Sequence, residues 1–317
     1  MAKLHIALIA GGCSGEREVS LKSGEAVLRA LDRRKYRVTR YDPQGALPAL
    51  VRDARKIDLA LVLLHGRFGE DGSIQGFLDL LGVPFLGSGV LSSAMALHKK
   101  TAKDLYRNHG LKVAEDVMLY RGERFSAGKI TRLLGPVTVV KPMSEGSSLG
   151  MAVCRTPKEL ERGIDAAFRW DREVMVERYI EGRELTCAVL GNRSLEALPV
   201  IEILPNPEYP FFDYQAKYTP GATREICPAP LSRSLARRVQ SAAMTAHLGL
   251  RCRAWSRTDM IVRGKEIYVL ETNTIPGMTE TSLVPLAART AGMSMSALLD
   301  RLIELSLEDE KESGGGP

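Results

Sequence analysis

The sequence predicts an α/β protein built from an N-terminal parallel βαβ unit and two further α+β units, and three observations carry that prediction. Apolar runs and amphipathic stretches alternate over about the first 90 of its 317 residues, the pattern of strands joined through helices. The chain is longer than one hydrophobic core usually serves. Beyond residue 98 the pattern changes to short strands, turns and single helices, ending in a hairpin and a last helix.

Taken in order, "LHIALIA" is a buried-strand run, and "GGCSGEREVS" at 11–20 is a strand-to-helix turn. In the helix that follows, Val27, Leu28 and Leu31 share one stripe, and Ser20 is expected to cap it. "YRVTRY" and "IDLALVLLHG" read as strands, "SIQGFLDLLG" as a short helix and "VPFLGSG" as a return to strand. The central unit opens with the helix "HKKTAKDLYRNHGL", stopped by Gly110. It continues through "PVTVVKP", the hairpin arm "GSSLGMAVCR" and "EVMVERYI", with "TPKE" at 156–159 forming a capping box. The third unit holds further strands, a proline-rich loop at 204–230, and a helix with Leu235, Val239, Ala242 and Ala246 at helical spacing. A hairpin, "SRTDMIV-RGK-EIYVLETN", and a helix at about 295–307 close it. The expected units are thus 1–98, 99–183 and 184–307, with 308–317, "EDEKESGGGP", as a disordered tail.

Composition narrows the function classes. A hydrophobic fraction of 44% and a charged fraction of 26% are ordinary for a soluble globular protein. No apolar run approaches the roughly 18 residues of a membrane span, and the N-terminal run reads as a strand, not a signal, so a cytoplasmic protein is expected. The five cysteines are scattered without a CxxC pair, which argues against a disulfide framework and a zinc site. The net charge of +6 is spread along the chain and aromatics make up 6%, so nucleic acid is not an expected partner.

The closing hairpin is the strongest chemical signal. Residues two apart on a strand point the same way, so Arg257 and Asp259 share a face, as do Glu271 and Asn273. A three-residue turn centred near Gly264 sets odd positions opposite odd ones, gathering all four side chains. Asp, Glu and Asn are the hard oxygen ligands magnesium prefers; the bland alternative is a solvated polar edge. Lys141 closes an apolar strand, a costly place for an ammonium without an anion, and "EGSSLG" after it suits a lid over phosphates. Neither a Walker pattern nor GxGxxG occurs. "GSSLG" also fits GxSxG, and Ser148, Asp213 and His247 stand in the order of a hydrolase triad. That reading needs a helix after the serine, where "MAVCR" reads as strand, and His247 sits beside an apolar stripe as a core histidine would. Of the other histidines only His65, at a strand end in "LLHGRFGEDGS", is a site candidate.

Taken together, "GGCSGEREVS", "HGRFGEDGSIQG", "PFLGSGVLSSAMALHK", "KPMSEGSSLG", "VERYIEGRELT", "DYQAKY", "RTDM" and "ETNTIPGMTETSLVP" resemble the D-alanine–D-alanine ligases of the ATP-grasp superfamily, over residues 4 to 307. The resemblance implies an ATP-grasp fold whose central and C-terminal units enclose ATP. It implies ligation of two D-alanines through an acyl phosphate, for peptidoglycan precursor and cell-wall synthesis. Lys99 and Lys141 would contact phosphates, with Glu145, Ser148 and Lys217 also at the nucleotide. Glu177, Arg178, Tyr179 and Ile180 would frame adenine, and Glu184 would meet the ribose. Asp259, Glu271 and Asn273 would hold two Mg²⁺ ions, or Mn²⁺. Glu16 would receive the ammonium of the first D-alanine, with His65 also on substrate. Arg257 and the Gly277 N–H would stabilise the tetrahedral oxyanion, a contact type worth ~3 kcal/mol. Ser282 would take the carboxylate of the second D-alanine, and Ser147 and Tyr218 would link toward Glu16.

Tyr218 goes with D-alanine as the second substrate in this family, while D-serine, D-lactate or another amino acid is the alternative acceptor. The resemblance also implies a homodimer through the N-terminal unit. His98 stands where aspartate is commoner, Phe212 where tyrosine is, and Gly15 where alanine is; none removes a catalytic group. A nucleotide-binding protein without ligase activity is the remaining alternative.

Overall fold

The computed structural model describes residues 3–144, 146, 149–206 and 223–312. Three sheets follow one another along the chain. In the first, β1 (Leu4–Ile9) lies between β2 (Tyr36–Tyr41) and β3 (Leu59–Val62), all parallel. β1 and β3 are almost wholly apolar because a parallel strand is covered on both faces. The helices α1 (Arg17–Ala30), α2 (Pro43–Asp53) and α3 (Ser73–Leu80) complete the unit, and α4 (Val90–Leu97) leads out of it. "VPFLGSG" does not form the expected strand. It makes a single parallel bridge, Ala60 to Phe85, because Leu86 hydrogen-bonds the sheet once and the chain then turns at Gly87.

The central sheet is antiparallel in the order β4 (Asp116–Tyr120), β7 (Glu173–Arg178), β5 (Thr138–Pro142), β6 (Ala152–Cys154). The helices α6 (Ala127–Leu134) and α7 (Pro157–Ala167) bury one face through Ile130, Leu134, Leu160 and Ile164 on Val140, Val174 and Val176. Thr156 caps α7 by accepting the Glu159 N–H at 3.2 Å, with Pro157 at the first helical position. Because "MAVCR" supplies the strand β6, no helix follows "GSSLG" as a nucleophile elbow requires. His247 is fully buried and its Nδ1 pairs with Ser256 Oγ at 2.8 Å, the core histidine expected.

In the third sheet β8 (Arg183–Leu190) carries β9 (Glu196–Ala197) and lies between β10 (Ile201–Pro205) and β12 (Trp255–Arg263). β11 (Thr223–Ile226) and β13 (Glu266–Asn273) flank these. The helix α8 (Arg233–Gly249) covers one face through Val239, Ala243 and Ala246. After β13 come α9 (Leu283–Thr290) and α10 (Met295–Glu312), the latter running past the expected end at 307 and into the stretch read as tail. Its Leu298, Leu299 and Leu302 pack with Ile6, Leu8 and Val27 of the first unit, so burial of an apolar stripe carries the helix beyond the polar composition that suggested disorder. Among the described residues no helix is long and apolar enough to cross a membrane.

One helix joins the second and third sheets. The helix α5 (Lys99–Asn108) is capped by His98, whose Nδ1 accepts the Thr101 N–H at 3.2 Å; histidine thus does there what aspartate does at a helix N-cap. Ala102 and Tyr106 enter the core of the third sheet, and Tyr106 Oη donates to Thr272 Oγ1 at 2.8 Å. Lys103, only 1% exposed, turns to the central sheet. There the register sets Asp116 opposite Glu177. Lys103 Nζ donates to Glu177 Oε2 at 2.8 Å and pairs with Asp116 Oδ1 at 3.2 Å. The other Glu177 oxygen pairs with Lys141, and Arg107 pairs with Asp116.

Burial pushes the Glu177 carboxyl up, but Lys141 and Lys103 outweigh it and hold the group down at about 2. A carboxylate lowered on folding stabilises above its unfolded pKa and loses that contribution as pH falls through the folded one. Glu177 should therefore stabilise fully above pH 4.5 and lose this between pH 4.5 and about 2. Urea unfolding across that window should show the stability gap between the parent and Glu177→Gln closing as pH falls. A gap that stays constant to the bottom of the window refutes the assignment.

Candidate functional site

The opening turn is closed on itself. Gly11 N–H donates to Ser20 Oγ at 2.8 Å and Gly12 N–H to Asp42 Oδ1 at 3.0 Å. The Arg17 guanidinium grips Asp42 at 2.6 Å and the Gly12 carbonyl at 2.7 Å, holding the Asp42 carboxyl down at about 2. With those N–H groups taken, the turn offers phosphate little. Ser20 is not the cap expected: it lies one turn inside α1, and its hydroxyl, donating to Leu63 O at 2.7 Å, ties the helix to the end of β3. Glu16 holds the N-cap position without a side-chain cap bond. Its carboxylate is therefore aimed elsewhere, 4% exposed, at the junction of the units.

Glycines make room for that carboxylate. A Cβ on Gly66 would stand 2.7 Å from Glu16 Oε2, and one on Gly146, from the loop after β5, 2.8 Å from the same atom. Glu70 faces Glu16 there, taking the Gly66 N–H on Oε2 at 2.7 Å. Burial, then the Glu16 charge, pushes the Glu70 carboxyl up to about 8 against that hydrogen bond. His65, at the end of the β3 segment, is buried with Nε2 lacking a hydrogen-bond partner. Burial and then Arg257 lower its pKa to about 4, so it is neutral at pH 7. Glu70 was not singled out from the sequence; a carboxylate four residues after Gly66 in a glycine-rich turn was the available signal.

The hairpin gathers its four polar side chains by a different route from the one expected. The turn is a two-residue one, Gly264 and Lys265 between the paired Arg263 and Glu266. Alone it would set Leu270 opposite Asp259 and send Glu271 to the other face. A β-bulge between Asp259 and Met260 on β12 and Val269 and Glu271 on β13 adds one residue. Asp259 then faces Glu271, and Arg257 faces Asn273. The opposite face presents Thr258 and Thr272, 3.0 Å apart and buried. Arg257 clamps Asp259 with two bonds, Nε to Oδ1 at 2.9 Å and Nη2 to Oδ2 at 2.8 Å, while Thr186 donates to Oδ1 at 2.6 Å.

As a metal site this set is chemically apt but not closed. Among the described residues no group of three or more His, Cys, Asp or Glu side chains could hold a metal ion as they stand. Two carboxylates and an amide on one face are oxygen donors of the kind Mg²⁺ takes along with substrate phosphate and water. Asn273 Oδ1 accepts the Ile275 N–H at 2.9 Å, which fixes its amide at the end of β13.

Cations line the opposite side. Lys141 ends β5, largely buried; burial works against its charge, and Glu177, Glu271 and Glu184 hold its pKa above the ordinary lysine value. Lys99 Nζ donates to the Met143 carbonyl at 3.4 Å. Glu177 and Ile180 are buried, whereas Arg178 turns to the far face, donating to Leu134 O at 3.0 Å. Tyr179 N–H bonds Val137 O at 3.2 Å. Gly277 closes against Ser282, where a Cβ would come 2.9 Å from the Ser282 hydroxyl, and that hydroxyl bonds Thr279 Oγ1 at 2.7 Å. Glu145, Ser147, Ser148, Lys217 and Tyr218, with Phe212 and Asp213, lie outside the described residues. Chemically, the buried Glu16 carboxylate suits an ammonium, and the Arg257 and Lys141 cations suit anionic groups.

Comparison with known proteins agrees with this geometry. Residues 105–304 match the family model described as D-ala D-ala ligase C-terminus, and residues 43–88 that of the D-ala D-ala ligase N-terminus. The chain is 55% identical over 307 residues to a D-alanine–D-alanine ligase of Syntrophobacter fumaroxidans, covering 97% of this chain and 99% of that protein. It is 53% identical to the same enzyme of Desulfotalea psychrophila, over 99% and 98% of the two chains. Among solved structures, the D-alanine–D-alanine ligase of Bacillus anthracis complexed with ATP superposes with a TM-score of 0.86 at 35% identity, over 98% of this chain and all of that one. The VanG D-Ala:D-Ser ligase of Enterococcus faecalis gives 0.84 at 33% identity, over 96% of this chain and 100% of that one. With both parts of the family model matched and full-length relatives above half identity, the chain belongs to the D-alanine–D-alanine ligase family, whose fold is ATP-grasp.

Proposed function

We propose that the protein joins two D-alanines into D-alanyl-D-alanine at the expense of ATP, a step of peptidoglycan precursor synthesis. The observation that supports this is a chain of charges across the units, with Glu16, Arg257 and Glu271 all acting on Glu70 and Glu271 also acting on Lys141, in a chain that matches D-alanine–D-alanine ligases over nearly its whole length. ATP supplies the phosphoryl group that activates the first carboxylate, and Asp259, Glu271 and Asn273 would hold two Mg²⁺ (or Mn²⁺) ions, which would supply charge neutralisation for that transfer.

The protein's own groups supply position and field. Glu16 holds the first ammonium, with Glu70 behind it and the neutral His65 beside the same pocket. Arg257 and the Gly277 N–H bind the oxygen that gains charge as the second amine attacks the activated carbonyl and phosphate leaves. Ser282, next to Gly277, receives the second carboxylate. Lys141 and Lys99 hold the nucleotide phosphates, and Tyr179, Ile180 and Glu184 frame the nucleoside, while Arg178 turns away and the Glu177 carboxylate is taken up by Lys103 and Lys141.

Incubation with ATP, Mg²⁺ and D-alanine should release phosphate and form the dipeptide. In competition with D-serine or D-lactate the D-alanyl dipeptide should remain the main product; no dipeptide while ATP still binds moves the assignment to a ligase with another acceptor. Glu271→Gln should retain the parent's circular dichroism but lose activity by about 100-fold or more, the scale of a lost charge contact in the transition state. Turnover like the parent's would remove Glu271 from the metal set. The proposed homodimer draws support from the first unit, where Leu80 is 88% and Leu91 57% exposed on α3 and α4. Sedimentation at micromolar concentration should give a dimer, and a monomer there defeats this part of the proposal.

A further inference from the structure

The reading of Lys141 as a phosphate contact leaves Lys103 without a role, yet Lys103 is among the largest fully buried side chains described. An ammonium is placed so deeply only where fixed anions meet it. It meets two, Glu177 at 2.8 Å and Asp116 at 3.2 Å, which the register sets side by side on adjacent strands. Two carboxylates directly opposite each other repel, and Lys103 offsets this by bridging them.

The charges divide into two groups. Asp116 has a cation of its own in Arg107. Glu177 has two, Lys103 on Oε2 and Lys141 on Oε1. Among the five groups that pair directly, the cations Lys103, Lys141 and Arg107 outnumber the anions Glu177 and Asp116 by one, while Glu271 and Glu184 also act on Lys141. Without Lys103, Glu177 would spend its whole charge on Lys141.

We infer that Lys103 is a positioning residue for nucleotide binding: by occupying one oxygen of Glu177 it keeps the Lys141 ammonium from being fully neutralised and leaves it available to phosphate. The inference rests on the phosphate reading of Lys141. The same lysine anchors α5, whose first residue, Lys99, stands one turn earlier on the same side of the helix, so both proposed phosphate cations depend on it.

The test is calorimetric titration of the whole protein with Mg²⁺ and either a non-hydrolysable ATP analogue or adenosine, which lacks the phosphates. Lys103→Met should weaken the analogue by about tenfold and adenosine by less than about twofold, the loss of one charge-assisted contact. Equal losses for both ligands would show that Lys103 merely supports the fold, and no loss for the analogue would show that Lys141 needs no such partner; either overturns the inference. If loss of the buried ammonium prevents Lys103→Met from folding, Lys103→Met/Asp116→Asn removes one charge of each sign and carries the same comparison. Lys141→Met separates the two readings. Parent-like affinity for the analogue there overturns the phosphate assignment itself, whereas a loss there without one in the Lys103 variants overturns only the role of Lys103.

Discussion

The Arg257 guanidinium, clamped by two bonds on Asp259 and largely withdrawn from water, is the interaction on which the site's geometry depends. Removing a charge from water is costly unless its partner is held rigidly, because mutual attraction has to offset both desolvation penalties. The rigidity comes from below. Asp259 is opposite Thr186 on β8 and accepts its hydroxyl at 2.6 Å. The strand beneath is nailed down by Trp255, Met260 and Val262 in the core. From that position Arg257 acts on groups of the first unit, lowering the pKa of His65 and opposing the rise at Glu70.

On the first-unit side two carboxylates, Glu16 and Glu70, share a space opened by Gly66 and Gly146, an arrangement that favours an ammonium. On the central side Lys99 meets the Met143 carbonyl, and Lys103 and Lys141 share Glu177. Among the described residues Glu16, His65, Glu70, Glu177 and Asp259 are buried, so the hydrogen bonds and ion pairs they make cost free energy to lose.

Part of this was legible in residue order, and the failures have identifiable causes. The period-2 spacing of Arg257, Asp259, Glu271 and Asn273 did predict a shared face, but through a turn length that does not occur. A two-residue turn and a bulge reach the same parity as a three-residue turn, and sequence spacing cannot distinguish them. "VPFLGSG" has strand composition yet bridges at one residue, since pairing depends on a neighbour being at hand. Ser20 was read from local capping rules, while its actual bonds go to residues 9 and 43 positions away. Glu70 and Lys103 passed unnoticed because a lone charge in a turn or on a helix is usually solvated; their importance lies in burial that only packing produces.

By itself the sequence determined the class of fold, the identity of the chemical groups and, through combined motifs, the family. Those properties follow from apolar periodicity and from side chains whose chemistry does not change with surroundings. Which groups meet, and in what protonation state, was decided by the tertiary structure alone. Glu16, Arg257 and Lys141 are more than a hundred residues apart in successive pairs, and the bulge, the α5 bridge and the return of α10 to the first sheet bring their units into register. The carboxyl of Glu70 near 8 and that of Glu177 near 2 belong to the same functional group. They part because one is buried against a like charge and the other between two ammonium ions, and no local stretch of sequence contains that difference.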